Sequence, residues 1–235
     1  PKEQHPSPML SLDKTKEVGA LESWLDDKEG LLSWKLDGLT IVLTYQDGKL
    51  AKAVTRGDGI TGEVITSNAR VFDNIPLQIP RKEEMVIRGE AVITYADFEE
   101  INRTIGDADA KYKNPRNLCS GTVRQLNNEI TARRHVKFYA FSLAAGGDDC
   151  ETRQEQLELL KKQGFETVEY VKVTRETIAD AVADFEQKIA DFPVPSDGLV
   201  LIYDDIAYGR SLGSTSKFPR DSIAFKWMDE QKETI

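Results

Sequence analysis

The sequence predicts an α+β fold that contains an antiparallel meander of strands. Apolar strands at residues 39–45 and 50–55 are separated by Gln46-Asp47-Gly48-Lys49, a run typical of a hairpin turn. The other predicted elements follow one another without regular strand-helix-strand alternation, which disfavours a doubly wound parallel sheet. With 235 residues and 40% hydrophobic content, the chain is large enough for one large domain or two small ones with a packed core.

The remaining elements follow from apolar periodicity. The first is a helix over residues 14–27, with apolar residues at helical spacing and Asp13 suited to cap its N-terminus. A strand at residues 31–36 precedes the hairpin. Further strands are predicted at residues 85–94, 136–143, 166–173, 199–203 and 222–227. Further helices are predicted at residues 95–105, 152–163 and 176–190, with another that opens near residues 114–117.

Composition and charge exclude several classes of protein. The net charge of −9 has the wrong sign for a wide nucleic-acid-binding face, so any DNA contact must be local or made by another part. Cys119 and Cys150 lack metal-site spacing and cannot build a disulfide framework, which indicates a cytoplasmic protein. No apolar run approaches the ~20 residues of a membrane span, and the first residues show no signal-peptide pattern. Because it begins at Pro1, we expect a piece of a longer polypeptide.

The run Lys35-Leu36-Asp37-Gly38 joins two apolar strands. Strand alternation places Lys35 and Asp37 on the same face. One interpretation is a surface ion pair at a turn, worth ~0.5 kcal/mol. The other is nucleophilic catalysis, in which a neutral lysine amine, favoured by nearby cations, attacks phosphorus.

Two further motifs supply candidate ligand-binding groups. Thr55-Arg56-Gly57-Asp58-Gly59 follows a strand, and its glycines allow close backbone approach while Arg56 offers a donor fork to phosphate. The alternative is a tight Gly-Asp-Gly turn. Arg88 and Glu90 lie on one face of an apolar strand, a pattern that fits either a buried ion pair or a carboxylate that binds ribose hydroxyls.

Later motifs carry the same ambiguity. Asn114-Pro115-Arg116-Asn117 opens a helix, where an anion would meet Arg116 and free backbone N–H groups, or where solvated arginines follow an ordinary cap. Asp197-Gly198 precedes an apolar strand. Lys226 interrupts another apolar strand, which is unfavourable unless the lysine is paired. Phe141 either stacks on a base or belongs to the core.

Taken in order, these motifs resemble the adenylation domain of bacterial NAD-dependent DNA ligases over essentially the whole chain. The resemblance implies a nucleotidyltransferase fold, an ATP-grasp-like arrangement of antiparallel sheets flanked by helices. It also implies that residues 1–235 form one adenylation domain of a longer ligase, with residues 1–13 as a lead-in segment that contacts adenosine. The matching residues are Ser11, Leu12, Lys35, Arg56, Asp58, Glu90, Arg116, Arg124, Asp197 and Lys226.

The resemblance also assigns roles to these residues. The implied catalytic set is Lys35, which becomes adenylated, with Asp37, Arg56, Asp197 and Lys226. The implied NAD-binding set is Ser11, Leu12, Lys35, Arg56, Glu90, Arg116, Phe141 and Lys226. Phe141 falls where the family usually stacks a tyrosine under adenine, and Glu90 is the ribose-side glutamate. Glu90 and Asp197 are the expected Mg²⁺ ligands.

Two positions depart from the family pattern. Ile202 replaces a lysine expected to contact the phosphate, and Ser33 replaces a glutamate expected to contact adenine. The loss of a cation at Ile202 predicts weaker phosphate binding and a less activated Lys35. Both changes indicate a divergent branch or a paralogue.

The resemblance implies that Lys35 attacks the α-phosphorus of NAD and releases nicotinamide mononucleotide. It also implies that the AMP then passes from Lys35 to a 5′-phosphate at a DNA nick. The implied partners are NAD or AMP and nicked double-stranded DNA, with no membrane and a monomeric state. Zinc is expected only in a domain absent from this sequence. The alternatives are an ATP-using nucleotidyltransferase of the RNA-ligase or capping type, and a non-catalytic nucleotide-binding module, favoured by Ile202 and Ser33.

Overall fold

The computed structural model describes residues 1–227, which form eleven strands in three sheets and eight α-helices. The strands are β1 (Lys2–Gln4), β2 (Asp13–Thr15), β3 (Gly30–Leu36), β4 (Leu39–Gln46), β5 (Lys49–Thr55), β6 (Thr61–Glu63), β7 (Met85–Val92), β8 (Lys137–Ala145), β9 (Tyr170–Val173), β10 (Ser196–Tyr203) and β11 (Ser222–Phe225). The helices are α1 (Val18–Leu25), α2 (Thr66–Ala69), α3 (Tyr95–Thr104), α4 (Pro115–Val123), α5 (Asn128–Ala132), α6 (Arg153–Lys162), α7 (Ile178–Lys188) and α8 (Ile206–Leu212).

The four-stranded sheet has the order β5-β4-β7-β8, and each neighbouring pair is antiparallel. Strand alternation buries Ile41 and Leu43 of β4 beside Ile87 of β7. Leu118 of α4 and Leu160 of α6 pack into the same core. Full burial of each such side chain contributes about 1.5–3 kcal/mol. This core fixes β7, which carries Glu90, against β4.

The five-stranded sheet has the order β2-β11-β10-β3-β9. The β2–β11 pair is parallel and the other pairs are antiparallel. Leu32 and Trp34 of β3 join Leu199 and Leu201 of β10 in a second core. There the ring of Phe185, from α7, meets the Trp34 ring edge-on with centroids 4.7 Å apart. The two cores therefore lie on separate sheets.

The link between β3 and β4 joins the two large sheets. Leu31 packs into the core of the four-stranded sheet, whereas Leu32 packs into the core of the five-stranded sheet. Alternation therefore turns Leu31 and Lys35 toward the four-stranded sheet. Gly38 lies in the link between β3 and β4, and a Cβ placed there would lie 2.0 Å from the carbonyl oxygen of Ala91. Only glycine fits this close approach.

Most of the predicted architecture is confirmed. The β4–β5 hairpin turns at Asp47 and Gly48, both with positive φ. Helix α4 begins at Pro115, with Asn114 as its N-cap. The α+β class is confirmed, and none of the helices within residues 1–227 is both long and apolar enough to cross a membrane.

Some boundaries differ from the predictions. The predicted cap Asp13 is wrong, because it starts β2, which pairs with β11, and Glu17 precedes α1 instead. The charged residues before the apolar stripe complete the edge of the five-stranded sheet instead of adding a helical turn. The strand predicted at 166–173 begins only at Tyr170. Residues 228–235 of the predicted domain lie outside the described residues.

Candidate active site

Lys35 and Asp197 meet where β3 and β10 lose regular pairing. Ser196 pairs with Leu36 and Gly198 pairs with Lys35, which leaves Asp197 as the extra residue of a bulge. Both carboxylate oxygens of Asp197 accept from the Lys35 Nζ at 3.2 Å. The bulge thus re-aims one carboxylate onto the candidate nucleophile.

Gly198 allows a second lysine to approach the same carboxylate. Its φ is +156°, and a Cβ there would lie 2.2 Å from the carbonyl oxygen of Phe225. A side chain at this position would push β10 away from β11. With glycine in place, the Lys226 Nζ lies 3.9 Å from an oxygen of Asp197.

Asp37 and Arg116 complete a cluster of charges around Lys35. An Nη1 of Arg116 lies 3.6 Å from Oδ1 of Asp37. Burial raises the pKa of Asp37, and the neighbouring Asp197 raises it further, while Arg116, Lys35 and Lys226 oppose the rise. Three cations therefore surround two carboxylates. The cluster carries a net positive charge suited to a phosphate group.

Glu90 lies on β7 beside the crossing between the sheets. Its carboxylate accepts from the backbone N–H of Gly38 at 3.0 Å and from the Thr40 hydroxyl at 2.8 Å. Burial raises the pKa of Glu90 to about 7, although these two hydrogen bonds favour the charged form. The ion pair with Arg88, one of the two interpretations of this pattern, is absent from the described residues. The hydrogen bonds of Glu90 hold the loop after Lys35 in place.

The N-terminal segment lies over the Arg56 loop. The Arg56 Nη2 donates to the carbonyl oxygen of Met9 at 2.9 Å and lies 3.4 Å from the Ser11 hydroxyl. His5 Nε2 lies 2.9 Å from the carbonyl oxygen of Arg56. Leu12 is half-buried. Part of the predicted lead-in is thus built into the sheets, since β1 pairs with β6.

Asp58 has a structural part in this loop. Its carboxylate accepts from the backbone N–H groups of Ile60 and Thr61 at 2.9 and 2.8 Å. These hydrogen bonds lower the pKa of Asp58. Gly57 and Gly59 have positive φ values on either side. The tight-turn interpretation therefore applies to Asp58, while Arg56 remains available to a ligand.

Phe141 also occupies a bulge. Arg88 pairs with Ser142 and Gly89 with Ala140, which leaves Phe141 unpaired on β8. The Phe141 side chain is 41% exposed, so the core interpretation of this aromatic does not hold. Phe141 lines a small cavity together with Ser33, the neighbour of Lys35 on the same face of β3.

Ile202 lies at the far end of β10 from the charge cluster. Gly198 pairs with Lys35, whereas Ile202 pairs with Leu31. Four residues of strand span about 13 Å. Ile202 lines the same small cavity as Phe141, so it lies nearer to Phe141 than to the charge cluster.

The carboxylates of the site do not fit Mg²⁺. Within residues 1–227, no group of three or more His, Cys, Asp or Glu side chains could hold a metal ion. Glu90 does not fit as a ligand, because its oxygens already accept two hydrogen bonds and its burial favours protonation. Asp197 is occupied by Lys35. The residues present do not build a magnesium site of their own.

The structure thus brings five of the predicted residues into one cluster, while Glu90 lies beside the link between the sheets and the others lie elsewhere. The charge cluster contains Lys35, Asp37, Arg116, Asp197 and Lys226. Arg56 and Ser11 form one neighbouring group and Phe141 lies on the cavity. Sequence reasoning missed Thr40, which holds Glu90, and Arg153, which lines the cavity. A polar residue between apolar neighbours was the available signal for Thr40.

Solved structures share this fold at low sequence identity. An archaeal ATP-dependent RNA ligase (form 2) gives a TM-score of 0.55 at 14% identity, over 94% of this chain and 48% of that chain. A putative ATP-dependent DNA ligase from Aquifex aeolicus gives 0.54 at 12% identity, over 94% of this chain and 50% of that chain. These similarities show the nucleotidyltransferase-type fold alone.

Relatives of similar sequence identify the family to which the chain belongs. The DNA ligase of Lachnoclostridium phytofermentans is 63% identical over 236 residues, which cover 100% of this chain and 36% of that ligase. The DNA ligase of Ruminiclostridium cellulolyticum is 61% identical over 237 residues, with the same shares. The chain thus spans 36% of the length of these relatives. A family model described as NAD-dependent DNA ligase adenylation domain matches residues 1–230. The chain therefore belongs to the family of NAD-dependent DNA ligase adenylation domains.

Proposed function

We propose that this chain carries out the first step of an NAD-dependent DNA ligase, the transfer of AMP from NAD to Lys35. The observation that supports it most is the position of Lys35, hydrogen-bonded to Asp197 and turned toward the opposite sheet. The ammonium loses a proton, and the neutral amine then attacks the α-phosphorus. A nitrogen–phosphorus bond forms as the phosphorus–oxygen bond to nicotinamide mononucleotide breaks, and the mononucleotide leaves.

The charge cluster supports this chemistry. Asp197 is the nearest carboxylate to the Lys35 amine and acts as the acceptor of its proton, directly or through water. Lys226 and Arg116 stabilise the negative charge that develops on the phosphate oxygens. Asp37 holds Arg116 in position. Mg²⁺ would serve only as a counter-ion to the phosphates of the nucleotide.

The neighbouring groups would bind the rest of the nucleotide. Phe141 stacks on the adenine, and its exposed ring on the bulge of β8 is the support for this role. Arg56, Ser11 and Leu12 contact the adenosine and its phosphate from the N-terminal side. Glu90 orients the ribose side by holding the Gly38 backbone.

The proposed setting is a longer, cytoplasmic, monomeric ligase in which residues 1–235 form one adenylation domain. The AMP would pass from Lys35 to a 5′-phosphate at a nick in double-stranded DNA. The net charge of −9 supports the inference that other parts of the protein hold the DNA.

Intact-mass spectrometry of the full-length protein tests this function. Incubation with NAD and magnesium is expected to add the mass of one AMP, while incubation with ATP adds none. A mass gained from ATP and not from NAD would favour the ATP-using nucleotidyltransferase instead. If calorimetry detects NAD binding but no mass is added, the non-catalytic nucleotide-binding module is favoured. The departures from the family pattern at Ser33 and Ile202 are the reason to consider this alternative.

A further inference from the structure

Thr40 lies directly across from Glu90 in the four-stranded sheet. The register of β4 on β7 pairs these two residues, at the end of β4 that follows Gly38. Residues paired in this way have Cβ atoms about 4.5–5.5 Å apart, so a short hydroxyl on one strand reaches a carboxylate on the other. The Thr40 hydroxyl donates to Oε1 of Glu90 at 2.8 Å. Strand register therefore brings a side-chain donor to this carboxylate.

Glu90 is held by one donor on each of its carboxylate oxygens. Oε2 accepts from the backbone N–H of Gly38 at 3.0 Å, while Oε1 accepts from Thr40. The terminal torsion of a glutamate side chain has a broad energy minimum, so a single hydrogen bond does not fix the plane of the carboxylate. Glu90 is only 9% exposed, which limits the water that could replace a lost donor. The two hydrogen bonds together set one orientation of the carboxylate.

The hydrogen bond to Gly38 acts on the segment that carries the candidate nucleophile. Gly38 lies three residues after Lys35 and directly after Asp37. The Asp37 carboxylate in turn lies 3.6 Å from Nη1 of Arg116. A shift of the Gly38 backbone would therefore move Asp37 and the end of β3 that contains Lys35. Reaction rates are sensitive to such shifts, since a displacement of about 1 Å can cost about 10²-fold.

The carbonyl group of Thr40 holds a different part of the site. It accepts from the backbone N–H of Arg56 at 2.8 Å. This hydrogen bond belongs to the main chain, so it does not depend on the side chain at position 40. A substitution that removes only the hydroxyl releases Glu90 and leaves Arg56 anchored. The two contributions of Thr40 can therefore be separated by experiment.

We propose that Thr40 is a positioning residue for the adenylation of Lys35 and that its hydroxyl acts through Glu90. The hydroxyl keeps the carboxylate turned so that Oε2 holds Gly38, and Gly38 holds the segment that contains Lys35 and Asp37. No contact with the nucleotide or the reacting atoms is assigned to Thr40. The inference rests on the proposed function, because the placement of this segment affects the rate only if Lys35 is the nucleophile.

Single-turnover adenylation of the full-length protein by NAD with magnesium tests the inference. Thr40→Val has nearly the same shape and lacks the hydroxyl, so the rate at saturating NAD is expected to fall by about tenfold or more. The KM for NAD is expected to stay within about threefold, because the Arg56 anchor remains. Thr40→Ser keeps the hydroxyl and is expected to recover most of the rate.

Thr44→Val is the matched control for the loss of a hydroxyl from β4. Thr44 lies four residues further along the strand on the same face, and its side chain has no hydrogen-bond partner among residues 1–227. The substitution is expected to change the saturated rate by less than about twofold. The thermal transition of each variant shows whether it folds.

A Glu90→Ala background tests whether Thr40 acts through Glu90. Without the carboxylate, the Thr40 hydroxyl no longer holds Gly38, so Thr40→Val is expected to alter the remaining rate by less than about twofold. A tenfold loss that persists in this background would overturn the inference. If Glu90→Ala is too slow to measure, the comparison of Thr40→Val with Thr40→Ser still decides.

The other outcomes separate the inference from the proposed function. A folded Thr40→Val protein that is adenylated at the unmodified rate would overturn the inference and leave the proposed function standing. A Thr40→Ser protein as slow as Thr40→Val, or a loss confined to KM, would have the same meaning. If Thr40→Val does not fold, Thr40→Ala takes its place with the same expected loss. No AMP on the unmodified full-length protein would overturn both.

Discussion

Asp197 lies at a bulge directly against Lys35, with both carboxylate oxygens 3.2 Å from the Nζ atom. The two residues are 162 positions apart in sequence. The bulge removes Asp197 from the regular pairing, which frees its side chain to turn toward β3. The pair therefore joins the candidate nucleophile to the nearest proton acceptor.

Replacement of Asp197 by Asn is expected to slow lysyl–AMP formation by about 10²–10⁴-fold, because the amide cannot accept the proton of the Lys35 ammonium. Single-turnover adenylation by the full-length protein measures this rate. The loss is expected to shrink as the pH rises, since hydroxide then removes the proton. Asp197→Glu is the control and should recover part of the rate. A rate for Asp197→Asn equal to that of the unmodified protein would rule out this role.

Glu90 is expected to make stability depend on pH. Its pKa is about 7 in the folded chain against 4.5 as the ordinary value, so between these pH values the folded state holds a proton that the unfolded state has lost. This contribution therefore stabilises the fold below pH 4.5 and is lost as the pH rises toward 7. The loss amounts to at most about 1.4 kcal/mol per pH unit.

Urea unfolding of the chain and of Glu90→Gln across this pH range isolates the effect, because other groups titrate alike in both proteins. The free energy of unfolding of the variant, relative to the unmodified chain, is expected to increase from pH 5 to pH 7.5. A difference that stays constant over this range would show that Glu90 is ionised in the folded state throughout.

Gly198→Ala is expected to destabilise the fold by about 1–3 kcal/mol, because φ is +156° and the new Cβ would meet the Phe225 carbonyl oxygen. Gly19→Ala in α1 is the matched control, since no atom lies within 4 Å of its Cβ position. The control is expected to be neutral or slightly stabilising. Equal free energies of unfolding for the two variants would contradict the close approach of β10 and β11.

Ile202→Lys is expected to change nucleotide affinity more than the rate of attack, because Ile202 pairs with Leu31 and not with the Lys35 position. The adenylation rate at saturating NAD should stay within about twofold, while KM changes. Ile202→Met, which adds length without charge, is the control. A large rise in the saturated rate, with KM unchanged, would place the added ammonium at the phosphate instead.

Motif order was enough to predict the charge cluster, since Lys35, Asp197 and Lys226 were each singled out from the sequence and lie together. The geometry inside the cluster was not predictable, because a bulge depends on the register between strands far apart in the chain. Asp13 was misassigned for a similar reason: its strand is stabilised by pairing with β11, which no local pattern encodes. The burial of Arg153 likewise depends on packing between the sheets.

Ile202 shows that a motif position does not by itself fix how far a residue lies from the charge cluster. The family pattern predicts a phosphate contact at residue 202. In the structure, Ile202 lies about 13 Å along β10 from Gly198, the residue that pairs with Lys35. Strand register, which sequence spacing alone does not supply, decides which end of a ligand a residue can reach.

Peptide mapping of the full-length protein after incubation with NAD tests the role of Lys35 most directly. The AMP mass is expected on the peptide that contains Lys35, attached through an acid-labile nitrogen–phosphorus bond, and it should be absent from Lys35→Arg. AMP found on another residue, or an AMP adduct that persists in Lys35→Arg, would contradict the assignment of Lys35 as the nucleophile.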